Sequence, residues 1–306
     1  MPRVIKKIPL LHVIKNYFFN IIAYFFSIPI LIILIIIYPF RRIIITELET
    51  RSIGHMSASV EIFLSEIKLG FFNKKNTYLW FCNKKISNKF LYYKWRKKIT
   101  TISRFLLKPS YVLINNLNYL KFLRSPFRHW KYGNPIYWQN VDIYNVLNKV
   151  KPNIKFSESE ERVCRQFFQK NNLVKNNYIC FVTRSNLYLK DNLSIRDSNI
   201  NNLLDATVKF CNEKNLKGVK MGYKNNDTNC SYKNIIDFSS HLEKNELIEI
   251  YLLMNCKFIV STGTGVDHVP ILNRKKILYI NYADINCIST SCNNFIPFMI
   301  QKNLLR

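Results

Sequence analysis

The run Ser261–Pro270, STGTGVDHVP, holds the densest set of residues suited to binding chemistry. Gly263 and Gly265 lack a Cβ, so the backbone there can approach an anion closely. Ser261, Thr262 and Thr264 bring hydroxyls to the same stretch. A helix beginning near Asp267 tolerates Pro270 in its first turn. Its N–H groups and dipole would then favour negative charge beside the loop. A diphosphate suits this set, and so does a plain tight turn leading into a helix capped by Asp267. The lysine of a Walker phosphate loop is absent, which argues against that class. His268 adjoins the loop, His55 opens a helix after the first strand, and His241 follows the strand-like IIDFSS. Imidazole titrates in the range useful to a general base. Packing or capping is the competing role for each. His12 and His129 have no supporting context.

The elements that must position these residues alternate between strand and helix. IIIT (43–46) and TYLWFC (77–82) are predicted strands. Between them, SASVEIFLSEIK (57–68) has helical spacing, with Val60, Phe63, Leu64 and Ile67 on one face and Ser57 as N-cap. KPSYVLINNL holds a further strand or helix, and the aromatic stretch 124–139 is expected to be a loop near a cleft. After a linker at 151–159 the pattern sharpens. Helices are predicted at 160–170, 200–214, 244–254 and near Asp267. Strands are predicted at 178–184, 218–223, 235–240, 257–263 and 276–282. That order is the signature of a doubly wound α/β layer, in which ligands bind outside the carboxyl ends of strands.

The chain has 306 residues, enough for two domains of ordinary size, and 48% of them are apolar. Its formal charge is +27, which suits a nucleic acid, an anionic membrane surface or a phosphorylated ligand. The abundance of Lys, Asn, Ile, Tyr and Phe, as in an A/T-rich genome, offers a blander cause. The basic residues are scattered rather than gathered in a block, so a nucleic-acid partner is not expected. None of the eight cysteines forms a CxxC, and several sit in apolar runs, which points to buried thiols in a reducing compartment. The sequons at Asn192, Asn226 and Asn229 are expected by chance in so Asn-rich a chain.

From Tyr17 to Phe40 no residue is charged, a length that can cross a bilayer as a helix. Tyr17, Tyr24 and Tyr38 suit interfaces. Arg3, Lys6, Lys7 and Lys15 precede the segment, and Arg41 and Arg42 follow it. Pro29 lies inside it, where it can kink or break a helix. A re-entrant hairpin is preferred over a straight span, and a buried core helix is the remaining alternative.

The run TGVDH resembles the T-G-x-x-H part of the donor loop of lipopolysaccharide heptosyltransferases, with Gly263 where that family usually has Asp. RSIGHMSASVEIFL, RDSNINNLLDA, VKMGY and ELIEIYLLMNCKFIVSTGTGVDHVPIL together resemble a family of glycosyltransferases from bacterial surface-polysaccharide clusters, in the family's order and over about residues 43–304. That resemblance implies an α/β, GT-B-like fold: two Rossmann-like domains facing a cleft, behind the N-terminal hydrophobic segment. The boundaries expected are 1–42 for the membrane-associated segment, 43–155 for the acceptor side and 156–306 for the nucleotide-sugar side. Donor and phosphate contacts are implied for Arg184, Arg196, Asp197, Lys220, Gly222, Ser261, Thr262, Gly263, Thr264, Gly265 and His268, with Lys220 standing where the family has Arg. A guanidinium forks well onto phosphate oxygens, although Arg196 also suits a surface ion pair. His55 is the expected base for transfer to a hydroxyl.

No DxD pair has the context of a metal site, so no metal and no cofactor is expected, the nucleotide-sugar being a substrate. The expected activity is transfer of a sugar from a nucleotide-diphosphate donor to a lipid-linked or nascent surface glycan, such as lipopolysaccharide. The membrane would be met through residues 17–40 and the domains would be cytoplasmic, at a bacterial inner membrane. The alternative is a catalytically inactive Rossmann-like scaffold of a polysaccharide assembly complex.

Overall fold

The computed structural model describes residues 10–73, 75–83, 85–124, 142, 144–184, 195–223, 232–283, 295 and 298–302; in the first helix, side chains are described at 22 and from 24 onward. Most of the aromatic stretch 124–139, the loop 185–194, the three sequons and Cys230, Cys287 and Cys292 lie outside the described residues. The other five cysteines are free thiols, and Cys164, Cys180, Cys211 and Cys256 are buried as their apolar contexts imply.

The N-terminal half comprises α1 (Leu10–Ile37), β1 (Ile43–Leu48), α2 (Ile53–Lys68), β2 (Thr77–Cys82), α3 (Lys89–Arg96), β3 (Thr100–Thr101) and α4 (Arg104–Asn116). Its strands form a parallel three-stranded sheet in the order β1-β2-β3. The C-terminal half comprises α5 (Glu158–Lys170), β4 (Tyr178–Val182), α6 (Ile200–Glu213), β5 (Lys217–Lys220), β6 (Ile235–Asp237), α7 (Glu246–Asn255), β7 (Phe258–Ser261), α8 (His268–Ile271), β8 (Lys276–Tyr282) and β9 (Phe298–Gln301). Its six strands are all parallel, in the order β6-β5-β4-β7-β8-β9. Numbered within this half, that order is 3-2-1-4-5-6, the doubly wound arrangement, with its switch point between β4 and β7. Among the described residues only the C-terminal half shows this winding; the N-terminal sheet simply adds strands in sequence.

Several elements depart from expectation. Residues 10–37 form one continuous helix of 28 residues with Pro29 inside it, not a hairpin. Pro29 removes the N–H that would reach the carbonyl of Phe25, a local loss that does not end the helix. Among the residues whose side chains are described, no helix is long and apolar enough to cross a membrane. KPSYVLINNL belongs to α4, a helix. The helix predicted from Ser57 begins a turn earlier, so Ser57 is not its cap; its hydroxyl bonds back to the Gly54 carbonyl at 3.0 Å. That earlier start carries Gly54 and His55 into the first turn of α2.

α2 explains how the two halves meet. It is buried around most of its circumference, including Gly54, Ser57, Ala58, Ser59 and Glu61. The small ones among these let it pack against α8, while Phe63 packs on Tyr78 and Trp80 of the N-terminal sheet. One apolar cluster thus joins Met56, Trp80 and Leu91 of the first half to Tyr178, Leu252 and Ile271 of the second. Buried Glu61 is bonded by Arg274 Nη2 at 2.8 Å and by the backbone N–H of Asn153 at 3.1 Å. Arg274 also donates to the Val150 carbonyl at 2.9 Å, tying the linker to both halves. Burial pushes the Glu61 carboxyl above its ordinary value, and the Arg274 charge and hydrogen bonds only partly offset this.

Arg274→Ala strands that carboxylate and is expected to destabilise the fold by about 3 kcal/mol at neutral pH. With Arg274 gone the Glu61 pKa in the folded chain rises further above its unfolded value. The folded state then takes up a proton that the unfolded state does not, so stability returns as pH falls through the raised pKa. Denaturant titrations at pH 5 and pH 8 should show the smaller deficit at pH 5; equal deficits would mean Glu61 is not the group left unpaired.

Candidate functional site

The carboxyl ends of β4 and β7 open onto a cavity of about 550 Å³ at the switch point. Thr183 and Arg184 come from the end of β4, Lys220 to Tyr223 from the end of β5, and Thr264 to Val266 from the loop after β7. The first half closes the cavity with Ser52 and Ile53 at the start of α2, and with Ser87. Ser198 to Asn201 bring the start of α6 to the same space. Lys244 and Glu249, from the approach to α7 and its first turns, complete the wall.

The loop Ser261–His268 is held by its own hydrogen bonds. Ser261 Oγ accepts from the Gly263 N–H at 3.1 Å, and Thr262 Oγ1 accepts from the Arg184 N–H at 2.8 Å. Thr264 donates its hydroxyl to Asp267 Oδ1 at 2.9 Å, and its N–H reaches Oδ2 at 2.7 Å, forming a capping box. Thr264 is therefore the cap and Asp267 its third-position partner; ahead of α8 Asp267 makes no side-chain cap bond, so the capping role expected of it belongs to Thr264. The Asp267 carboxyl is pushed up to about 6 by burial, against the hydrogen bonds from Ser261, Thr264 and Tyr279. The hydroxyls expected to face an anion thus brace the turn instead.

The two glycines also serve packing. Gly263 has φ +91°, and a Cβ there would lie 2.7 Å from the Tyr282 ring. Its carbonyl accepts from Arg196 Nη2 at 3.2 Å. Gly265 lines the cavity, but a Cβ on it would meet Ser52 Oγ at 3.3 Å. The helix expected to follow is short: a 3-10 turn at Gly265–Asp267, then α8 of four residues. So few aligned peptides carry little dipole. The longer helices α2 and α6 point their N-terminal turns at the cavity instead, with Asn199 capping α6 through the Asn201 N–H at 2.9 Å. First-turn N–H groups have no carbonyl within their own helix to bond, which suits an anion.

Arg184, Lys220 and Lys244 supply the positive charge of the wall. Arg184 Nε stands 3.9 Å from Asp197, whose backbone carbonyl accepts from Lys302. Lys220 is only 2% exposed and pairs with Asp237 at 3.1 Å. Burial would raise the Asp237 carboxyl, but the Ser239 hydroxyl and the Lys220 charge hold it below its ordinary value. Lys244 donates to the carbonyls of Gly222 and Ser239 at 2.8 and 3.1 Å. Gly222, with φ +97°, makes the turn that presents its carbonyl there.

His55 and His268 are brought together where α2 meets the loop, just outside the residues that line the cavity. Burial lowers the His55 pKa, opposed by the Glu49 carboxylate and aided by Arg51. His268 falls to about 4 through burial and the neighbouring His55. His241 packs between Phe238 and Phe167, and its Nδ1 accepts from the Glu243 N–H at 3.1 Å, a structural role. Arg196 and Asp197 support the site from behind: neither lines the cavity.

Lys244, Glu249 and the starts of α2 and α6 are site elements that the sequence did not single out. A second carboxylate three residues after Glu246, in the largely apolar ELIEIYLLMN, was the one available signal for Glu249. Asn88 Nδ2 donates to it at 3.3 Å, linking it to the first half. Burial raises its pKa, partly opposed by Lys244 and by the Asn88 bond, with Glu246 raising it further. It is the one carboxylate among the described residues of the wall. Among the described residues no group of three His, Cys, Asp or Glu has metal-holding geometry.

No family model matches the chain, and no curated protein matches it. Among solved structures, the chain is similar to a family 9 glycosyl transferase from Veillonella parvula, at a TM-score of 0.47 and 11% identity, covering 86% of each chain. It is similar to the ADP-heptose lipopolysaccharide heptosyltransferase II of E. coli, at 0.46 and 10%, covering 87% of this chain and 91% of that one. It is also similar to a UDP-GlcNAc 2-epimerase of Methanocaldococcus jannaschii, at 0.35 and 10%, covering 82% and 72%. These likenesses are too distant to assign a reaction, which must come from the chemistry of the cavity itself.

A Cβ at position 54 would lie 2.8 Å from both the Gly265 carbonyl oxygen and His268 Cδ2. One of these is backbone and cannot swing aside, so Gly54→Ala should cost about 1–3 kcal/mol through overpacking. Urea titration should register that loss; unchanged stability would show that α2 and the loop are not in close contact in solution.

Proposed function

We propose that the chain is a GT-B-type glycosyltransferase that takes a nucleotide-diphosphate sugar into this cavity and passes the sugar to a lipid-linked or nascent surface glycan. The observation that carries the proposal is the position and charge of the cavity. It lies at the switch point of a 3-2-1-4-5-6 sheet, with Arg184, Lys220, Lys244 and the starts of α2 and α6 around it. Such a setting stabilises the charge that develops on a departing diphosphate. The sequence resemblance supports a sugar donor over a free nucleotide, and the setting we propose is the cytoplasmic face of a membrane. In this scheme the site's own cations hold the diphosphate.

An acceptor hydroxyl must also lose a proton. Glu249 lines the cavity directly, and its raised pKa makes it a stronger base than an ordinary carboxylate. His55 stands outside the wall, and serving as base requires α2 to shift from the loop. We therefore assign the base to Glu249, with His55 as the competitor. The inactive-scaffold alternative draws on one observation: the hydroxyls of Ser261, Thr262 and Thr264 are already engaged within the protein.

Thermal denaturation with UDP, GDP, ADP and dTDP tests the donor site. A diphosphate at about 100 times its dissociation constant should add about 2.7 kcal/mol of stability. Arg184→Ala should weaken that ligand by about 10-fold or more, the worth of a charge-assisted hydrogen bond. No shift with any of the four, from folded protein, would sink the proposal.

With a responsive donor in hand, Glu249→Gln should cut turnover by about 100-fold or more while leaving nucleotide affinity near wild type. His55→Asn should change turnover little. The reverse pattern would return the base to His55, and nucleotide binding without turnover in the wild type would favour the scaffold.

A further inference from the structure

Along the described part of α1, Ser27 and Leu34 are buried, and Ile30, Leu31 and Ile37 are partly covered. That spacing is one helical stripe, and it docks on α4 and the N-terminal sheet beside Leu107, Tyr111 and Ile114. The rest of the circumference is apolar and open: Phe25 is 71% exposed, Ile36 63% and Phe40 85%, with Ile28, Ile32 and Ile33 between them. Phe105 and Leu106 of α4 extend the same surface, Phe26 and Phe105 being in ring contact at 6.3 Å. An exposed apolar patch this continuous marks an interaction surface.

The charge around it selects the occupant. No acidic residue precedes Glu47, and none occurs from Ile67 to Val141, so both helices of the patch lie in acid-free stretches. Exposed Arg41 follows the helix, and exposed Lys121 lies beside Phe122, whose ring meets Tyr38 at 4.8 Å. A second copy would set basic surface against basic surface. A bilayer containing anionic lipid offers hydrocarbon to the helix face and negative headgroups to the arginine and lysine rim.

We propose that the α1–α4 face binds an anionic membrane in the plane of one leaflet, with α1 lying along the protein rather than crossing the bilayer. The docked stripe is the reason: α1 is packed along α4 and the N-terminal sheet, and a crossing helix would draw that layer, with its open sheet edge, into the hydrocarbon with it. The membrane would then meet the first half of the chain and leave the cavity between the halves open to solvent. Vesicle binding needs no sugar donor, so this inference stands or falls apart from the proposed activity.

The full chain would be floated with vesicles of phosphatidylglycerol and phosphatidylethanolamine, and separately with phosphatidylcholine vesicles. We expect flotation with the anionic vesicles, weakening as salt rises. The triple variant Ile28→Gln, Ile32→Gln, Ile36→Gln should bind them about 100-fold or more weakly with unchanged melting temperature, because those side chains are exposed. Trypsin added outside sealed, protein-coated vesicles should still cut after Lys6 and Lys7, ahead of α1. Protection of those bonds would overturn the in-plane arrangement in favour of a span. Failure to float, or a wild-type dimer that the triple variant converts to monomer, would overturn the membrane as the occupant.

Discussion

The close approach of α2 to the loop after β7 is the contact on which the rest of the site depends. It brings Gly54 against Gly265, buries Glu61 beside Arg274, and sets the start of α2 on the rim of the cavity. A side chain at Gly54 would prise one backbone from the other, whereas one at Gly265 would first press on the Ser52 hydroxyl at 3.3 Å. Small residues do here what they do wherever two backbones must come close: they exchange side-chain packing for proximity. The buried ion pair adds little net stability of its own, since desolvation offsets attraction. Its geometry nonetheless selects one mutual arrangement of α2, the linker and the turn at Arg274.

Around this contact the polar groups divide their work. Ser261, Thr262, Thr264 and Asp267 hold the loop in shape, and Arg196 pins its Gly263 carbonyl. The cations facing the cavity come from strand ends and from the approach to α7. A braced loop and fixed cations suit a site that must stabilise charge without reorganising as it appears. Glu249 lines the same space near Lys244, held by Asn88 from the other half.

Charge is also unevenly distributed along the molecule. The acid-free stretches belong to the half that carries α1 and α4. The carboxylates of the other half are largely spoken for, as with Asp237 on Lys220 and Glu161 on Lys175 and Tyr251. The net charge is therefore concentrated in the half that also carries the open apolar face of α1.

Much of the C-terminal half was legible from the chain alone. YICFV, FIVS and KILYINY are buried parallel strands because continuous β-branched and aromatic runs can be covered on both faces only inside such a sheet. The short polar connections between them placed the loop Ser261–His268 at a strand end, where the structure also has it. The capping box there joins Thr264, the cap, to Asp267 three residues on, the reverse of the role that local spacing suggested for Asp267. What the chain could not reveal is which groups meet from distant positions. Gly263 looked like space for an anion, yet tertiary packing sets the Tyr282 ring against it, while Gly265 lines the cavity close to the start of α2. His55 looked like a base at the opening of a helix, yet in the docked structure it packs beside His268, outside the residues that line the cavity. Glu249, Lys244 and the starts of α2 and α6 converge only once the sheet is wound and the halves are docked. Local hydrophobic period and turn chemistry are properties of neighbours in sequence, so the sequence by itself determined the elements. The wall of the cavity is made by residues far apart in the chain, so only the tertiary structure decided it.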